Sequence, residues 1–175
     1  PGTGSGSVYI YDTSNLNAMF DSATVYDKGA WVLHMVRHVV GDGPFFQVLA
    51  DYRASYGGGT ATTENFVSLA SASTGKDLMR FFNQWVFGTG EVAYASGFDN
   101  IVVNGRRYAR FHVRQTQSAA FGHEGRFEMP VDVRVTTAGP ASINAVVQNR
   151  ATLQHYVLPV PATVTALALD PDNWI

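Results

Sequence analysis

The sequence predicts an α+β chain in which a helical subdomain of about four helices is followed by an antiparallel β-sandwich. Two observations carry this. Up to about Phe87 the apolar residues recur at helical spacing, whereas beyond Gly90 they alternate as strand residues do. The second stretch also holds Asn104-Gly105 directly after Ile101-Val102-Val103, a hairpin signal whose type I′ turn needs positive φ at both positions. The break at Gly88-Thr89-Gly90 is the main boundary. It gives residues 1–11 as a linker or the start of a fragment, 12–90 as the helical part and 91–175 as the sandwich.

The first long helix should begin near Thr24 and run to Val40, stopped by Gly41-Asp42-Gly43. Val25, Trp31, Val32, Leu33, Met35, Val36 and Val39 make it apolar on most sides, so a central, mostly buried helix is expected. Pro44 suits the first turn of the next helix, in which Phe45, Leu49, Tyr52 and Tyr56 form one stripe before Gly57-Gly58-Gly59 ends it. Thr62 or Thr63 can cap a third helix carrying Phe66, Leu69 and Ala70. Gly75 separates that helix from a fourth with Leu78, Phe81, Phe82, Trp85 and Val86 at matched spacing. Four such segments suggest a small antiparallel bundle.

In the second half, Phe127, Met129, Val131, Val133 and Val135 alternate with Glu128, Pro130, Asp132 and Arg134, and the proline suggests an edge or a bulge. Ala109, Phe111 and Val113 alternate in the same way. Further strands are expected near Ile143–Gln148, Leu153–Leu158 and Thr163–Leu169, a spacing that favours a sandwich over a mixed sheet.

Composition narrows the class of partner. With 46% hydrophobic residues the chain can bury a sizeable core as one domain or two small ones. Only 15% of residues are charged and the formal net charge is −2, which leaves no overall footprint for nucleic acid or an anionic membrane. No apolar run approaches the roughly 20 residues of a membrane-spanning helix, and a soluble protein is expected. Pro1-Gly2-Thr3-Gly4-Ser5-Gly6-Ser7 lacks the pattern of a secretory signal and reads as linker, expression scar or a cut within a longer polypeptide. With no cysteine there is neither a disulfide nor a thiolate metal site. Low lysine beside many Thr, Asn, Gln and Gly is compatible with an exported bacterial protein, periplasmic or extracellular.

Few constellations offer chemistry. His34 and His38 stand four apart on the first long helix, as in the His-Glu-x-x-His helix of a zinc peptidase, but Met35 stands where that motif needs its glutamate base. Both histidines read better as members of a polar stripe with Asp27 and Arg37. A metal site built on them is the weaker alternative, because three or more convergent ligands are needed. His112, His123 and His155 show no ligand-like spacing. Arg110 and Arg114 share a strand face with His112, and Glu128, Asp132 and Arg134 occupy the polar face of an expected neighbour, so cross-strand ion pairs on a solvated face explain them better than an anion site. Gly57–Gly59 lacks the Gly-Lys-Ser/Thr ending of a phosphate loop, and no nucleophile elbow is present.

The segment Val25-Tyr26-Asp27-Lys28-Gly29-Ala30-Trp31-Val32-Leu33-His34-Met35 resembles the tyrosine helix of the aminopeptidase N-like zinc metallopeptidases, the gluzincins. The resemblance continues through Gly41-Asp42, Phe45-Phe46, Tyr52, Ala61-Thr62-Thr63-Glu64-Asn65-Phe66, Ser73-Thr74-Gly75-Lys76-Asp77-Leu78 and Phe81-Phe82-Asn83-Gln84-Trp85-Val86. It covers most of residues 12–90. It makes that stretch the helical C-terminal part of a peptidase catalytic domain and makes residues 91–175 the sandwich that follows. The closing Leu169-Asp170-Pro171-Asp172-Asn173-Trp174 is similar to the Asp-Pro element on which such sandwiches end.

The resemblance implies one catalytic residue, Tyr26, as the donor that stabilises the oxyanion of the tetrahedral intermediate. Such a hydrogen bond contributes roughly 3–4 kcal/mol in a well-organised site. Gly29 would allow a backbone or a substrate to approach closely. The zinc ligands, the glutamate base and the strand that holds the substrate's free amine precede this stretch in the family, so no metal ligand or substrate-binding residue is assigned. Gly90-Glu91-Val92 stands where the family has Gly-x-Pro. The implied parent is a zinc enzyme that removes N-terminal residues from peptides, and the chain alone is expected to be inactive and without cofactor. Its partners would be peptide substrate and the remaining N-terminal catalytic segment, and apolar faces on the helical half could drive homo-oligomerisation. The alternative is a non-catalytic module derived from such a peptidase that binds protein or glycan.

Overall fold

The computed structural model describes residues 6–117 and 125–175, and the chain divides into two units, one ending at Glu91 and one starting at Val92. In the helical unit Asn15 caps a short helix, α1 (Leu16–Met19), by accepting from the amide of Ala18. Asp21 then accepts from the amide of Thr24 at 2.7 Å and opens a π-helical turn, Ser22–Asp27, that runs directly into α2 (Lys28–Val40). The helix expected from Thr24 to Val40 is therefore present, with its first turn wound wider than an α-helix. Gly41, at φ 89°, breaks the axis, and α3 (Asp42–Tyr56) begins at once. Across that break Arg37 forms a bidentate, solvent-exposed pair with Asp42 at 2.8 and 2.7 Å.

Thr62 and Asn65 form a reciprocal capping box at the start of α4 (Thr63–Thr74), and Gly75 ends the helix in the left-handed conformation, at φ 67°. The fourth expected helix appears as α5 (Met79–Phe82) continued by a second π turn, Asn83–Phe87. The core draws on α2 (Val32, Met35, Val36, Val40), α3 (Phe45, Val48), α4 (Phe66, Val67, Ala70) and the last helical stretch (Leu78, Phe81, Phe82, Trp85, Val86). Its rings meet edge to face: Tyr52 on Phe66 at 5.1 Å, Phe66 on Phe82 at 5.9 Å and Phe82 on Phe81 at 5.5 Å. Each such pair contributes about 0.5–1.5 kcal/mol beyond the area it buries.

The expectation that α2 is buried on most sides is corrected. Its buried residues fall on one face, whereas Ala30 and Leu33, with Tyr26 one turn earlier, form an exposed stripe. Apolar composition cannot distinguish a helix surrounded by neighbours from one packed on a single side.

In the β unit, β1 (Tyr94–Val103), β2 (Arg106–Gln115) and β5 (Leu153–Pro159) form one antiparallel sheet in the order β1-β2-β5. The strands β3 (Met129–Thr137), β4 (Ser142–Asn149) and β6 (Val164–Leu169) form another in the order β4-β3-β6. Asn104 and Gly105 take φ of 50° and 75°, as the hairpin between β1 and β2 requires. Ala109, Phe111 and Val113 of β2 face Val131, Val133 and Val135 of β3 in a shared core. The two sheets are stitched at both open sides. The Asn100 amide donates to the Val164 carbonyl at 3.0 Å and accepts from the Val164 amide at 2.7 Å, while the Tyr156 hydroxyl donates to the Gln148 carbonyl at 2.8 Å. At one end the buried Gln115 amide donates to Phe127 O and Asn149 Oδ1 and accepts from Phe127 N, so each of these buried groups has a partner.

Two strand expectations change. Pro130 lies on the central strand β3 and not on an edge, yet no ladder bond is lost: opposite Gln148 it is paired only with β4, and β6 joins from Val133 onward. The arginines of β2 do not pair with the acidic residues of β3, because the two strands belong to different sheets. Arg110 instead meets Asp99 on β1 at 2.8 Å, and Arg134 meets Asp172 at 3.1 Å. His123 and the linker residues Pro1–Ser5 lie outside the described residues.

Candidate functional site

The residues singled out at the start of the helical part gather at one junction. The Asp21 carboxylate takes the Thr24 amide that the π turn leaves unbonded, and this hydrogen bond holds its pKa below the ordinary carboxylate value. At the far end of the turn Tyr26 is 55% exposed. Two residues on, the Lys28 ammonium reaches back to donate to the Gly6 carbonyl at 2.6 Å. Partial burial lowers its pKa, and the charge of Glu91 opposes that shift in part. Lys28 thereby ties the segment before α1 to the first turn of α2. The same segment is fixed further along, where the Ser7 hydroxyl donates to Val86 O at 2.8 Å and the Tyr9 amide donates to the same oxygen at 3.1 Å.

Among the described residues no backbone of the chain approaches Gly29 closely. A Cβ there would meet only Val8 Cγ1 at 3.7 Å, an ordinary contact. The close approach lies at Gly6, where a Cβ would come within 3.0 Å of Thr24 Cγ2. Sequence reasoning missed this, since nothing in the run Gly2 to Ser7 distinguishes one glycine from another.

A cleft of about 290 Å³ opens beside the junction, lined by Val8, Gly29, Val32, Leu33, Tyr52, Thr62, Phe66 and Phe82 among others. Its lining is uncharged and largely apolar, which suits a hydrophobic side chain. Tyr26 lies three residues before Gly29 in the chain and does not itself line the cleft.

His34 and His38 share α2, with the His34 ring tilted against Trp31 at 5.3 Å, and both are engaged by neighbours. Among the described residues no three His, Cys, Asp or Glu side chains are grouped so as to hold a metal ion. The described residues alone therefore do not make up a zinc site. His112 and His155 stand opposite each other on β2 and β5, ring centroids 5.8 Å apart, beside Gly97, where a Cβ would come within 2.8 Å of His112 Cε1. That pairing could not be read from sequence, because it depends on the register of three strands. Among the described residues no helix is long and apolar enough to cross a membrane.

The order of the junction, with the tyrosine turn, the Lys28 anchor and the capped α4 following one another, coincides with a match to the Peptidase family M1 domain over residues 4–85. Residues 4–85 belong to peptidase family M1. Within it, this part of the chain is aminopeptidase N-like: it is 32% identical over 71 residues to aminopeptidase N of Lactococcus lactis subsp. lactis, a stretch covering 41% of this chain and 8% of that protein. A match to aminopeptidase N of Lactobacillus helveticus is 32% identical over 77 residues, covering 44% of this chain and 9% of that protein. One to aminopeptidase M1-D of Oryza sativa subsp. japonica is 31% identical over 78 residues, covering 45% and 9%. The matched stretch thus spans about a tenth of the length of these M1 relatives.

Among solved structures, that of Legionella pneumophila aminopeptidase A in complex with aspartic acid matches with a TM-score of 0.73 at 16% identity. The match covers 95% of this chain and 19% of that one. At that identity the likeness is one of fold.

Proposed function

We propose that this chain is the part of a zinc-dependent aminopeptidase that follows the metal-binding segment, and that Tyr26 is its contribution to the chemistry. The observation that carries the reading is the position of Tyr26: an exposed tyrosine at the end of a capped π turn, inside the stretch that matches the M1 family. π turns of this kind recur at functional sites. A phenolic hydroxyl held on such a turn donates a hydrogen bond where negative charge develops on a peptide carbonyl oxygen, and it does so more strongly in the transition state than in the ground state. The metal and the general base would come from the rest of the parent polypeptide, so the chain alone is inactive.

The test is made in the full-length protein. Tyr26→Phe there is expected to lower kcat for an aminoacyl-anilide by about a hundredfold to a thousandfold with little change in KM. Metal content should stay unchanged. A variant that keeps parental kcat would remove Tyr26 from the mechanism. For the chain alone, stoichiometric tightly bound zinc together with anilide cleavage would overturn the inactivity. If the natural gene carries no His-Glu-x-x-His upstream, the alternative stands, a non-catalytic binding module derived from such a peptidase.

A further inference from the structure

Ala109, Phe111 and Val113 of β2 point into the sandwich core, so Arg106, Tyr108, Arg110, His112 and Arg114 project from the opposite, outer face of that sheet. Arg106, Arg110 and Arg114 are all exposed. Asp99 is the only acidic residue on the three strands of this sheet, and Arg110 pairs with it. Among the described residues neither Arg106 nor Arg114 has a carboxylate partner. The solvated-face account therefore explains one arginine and leaves two. Apolar side chains flank the charges on β5: Val157, 53% exposed, stands opposite Arg110, and Leu153, 42% exposed, opposite Arg114. At the hairpin end a cleft of about 480 Å³ is lined by Arg106, Arg107, Tyr108 and the prolines Pro159 and Pro161.

We propose that this outer face binds an extended acidic polypeptide segment of a partner protein, laid along β2 with a carboxylate at every fourth residue. The spacing carries the argument. Side chains on one face of a strand repeat every second residue, so arginines four residues apart stand about 14 Å from each other. A second extended chain running alongside has the same repeat. Its carboxylates meet the three guanidinium groups, and its intervening residues lie over Tyr108 and His112. Leu153 and Val157 take apolar side chains of that segment, as mixed apolar and charged protein interfaces do. Nucleic acid fits less well, because duplex phosphates recur at one charge per about 1.7 Å.

The experiment uses the whole chain and a labelled synthetic peptide with glutamate at every fourth residue and valine midway between the first two. Fluorescence anisotropy at low and moderate salt reads the binding. The peptide is expected to bind more weakly as salt rises, and Arg106→Gln with Arg114→Gln should weaken it by about a factor of ten. Arg53→Gln, which removes a charge from the end of α3, should leave it unchanged. A peptide of the same composition with its glutamates adjacent should bind less well. The proposal is overturned if the two peptides bind alike, if Arg53→Gln matters as much as the β2 pair, or if no binding is seen. It is equally overturned if an oligothymidine or vesicles rich in phosphatidylserine compete for the face more strongly than the peptide.

Discussion

The helical unit and the β unit bury their apolar surface in different ways. In the first, aromatic rings on short helices stack edge to face while Tyr11, Leu16, Phe20 and Tyr26 remain more than half exposed. In the second, the core is mostly valine, and side-chain hydrogen bonds close the sandwich at both sides and at one end. The difference teaches where each unit is vulnerable. One depends on the shape of a few large side chains and keeps an open face for its candidate site. The other depends on polar groups that have no substitute once buried.

The comparison breaks most easily at the rings. Phe82→Ala removes the ring that both Phe66 and Phe81 touch and should cost about 3–5 kcal/mol. Calorimetry should then show a lowered transition for the helical unit beside an undisturbed one for the β unit, and an equal shift of both would contradict the division. Next, Gln115→Ala strands the Phe127 amide and carbonyl and the Asn149 side chain, at a cost of about 3 kcal/mol confined to the β unit. Urea unfolding followed by strand circular dichroism measures it, and a loss under 1 kcal/mol would mean that water replaces the amide.

Asn100→Ala deletes two hydrogen bonds at a partly buried position and should cost about 1–2 kcal/mol in the same assay. The smallest effect is on pH dependence. Asp21 has a pKa lowered in the folded state, so its contribution is present above the ordinary carboxylate range and is lost as pH falls through the lowered value. Asp21→Asn keeps a capping side chain. It should match the parent in acid and trail it at neutral pH in the melting of the helical unit; parallel acid limbs would exclude this role.

Local signals were the legible part of the fold. Asn104-Gly105 fixed its hairpin, Thr62 and Gly75 bounded α4, and the alternation through Val131, Val133 and Val135 marked the inner face of β3. The π turns were not legible, because a turn wound one residue wider leaves almost the same apolar stripe. Strand partners were not legible either. Nothing local to Arg110 says that Asp99 and not Asp132 stands beside it, and whether Pro130 faces a second strand depends on where β6 stops. At the candidate site, Tyr26 and its flanking residues were found through a motif. The Lys28 bond to Gly6 joins residues 22 positions apart and needed the fold.

The Asn100 clasp has a consequence for the chain in concentrated solution. The edge of β6 offers backbone groups that another chain could zip onto, the usual route to sheet-to-sheet aggregation. At Val164 a side-chain amide already supplies one donor and one acceptor in the pattern a neighbouring strand would bring. A single asparagine thus acts as a stopper on the edge of β6, denying an incoming strand its first foothold.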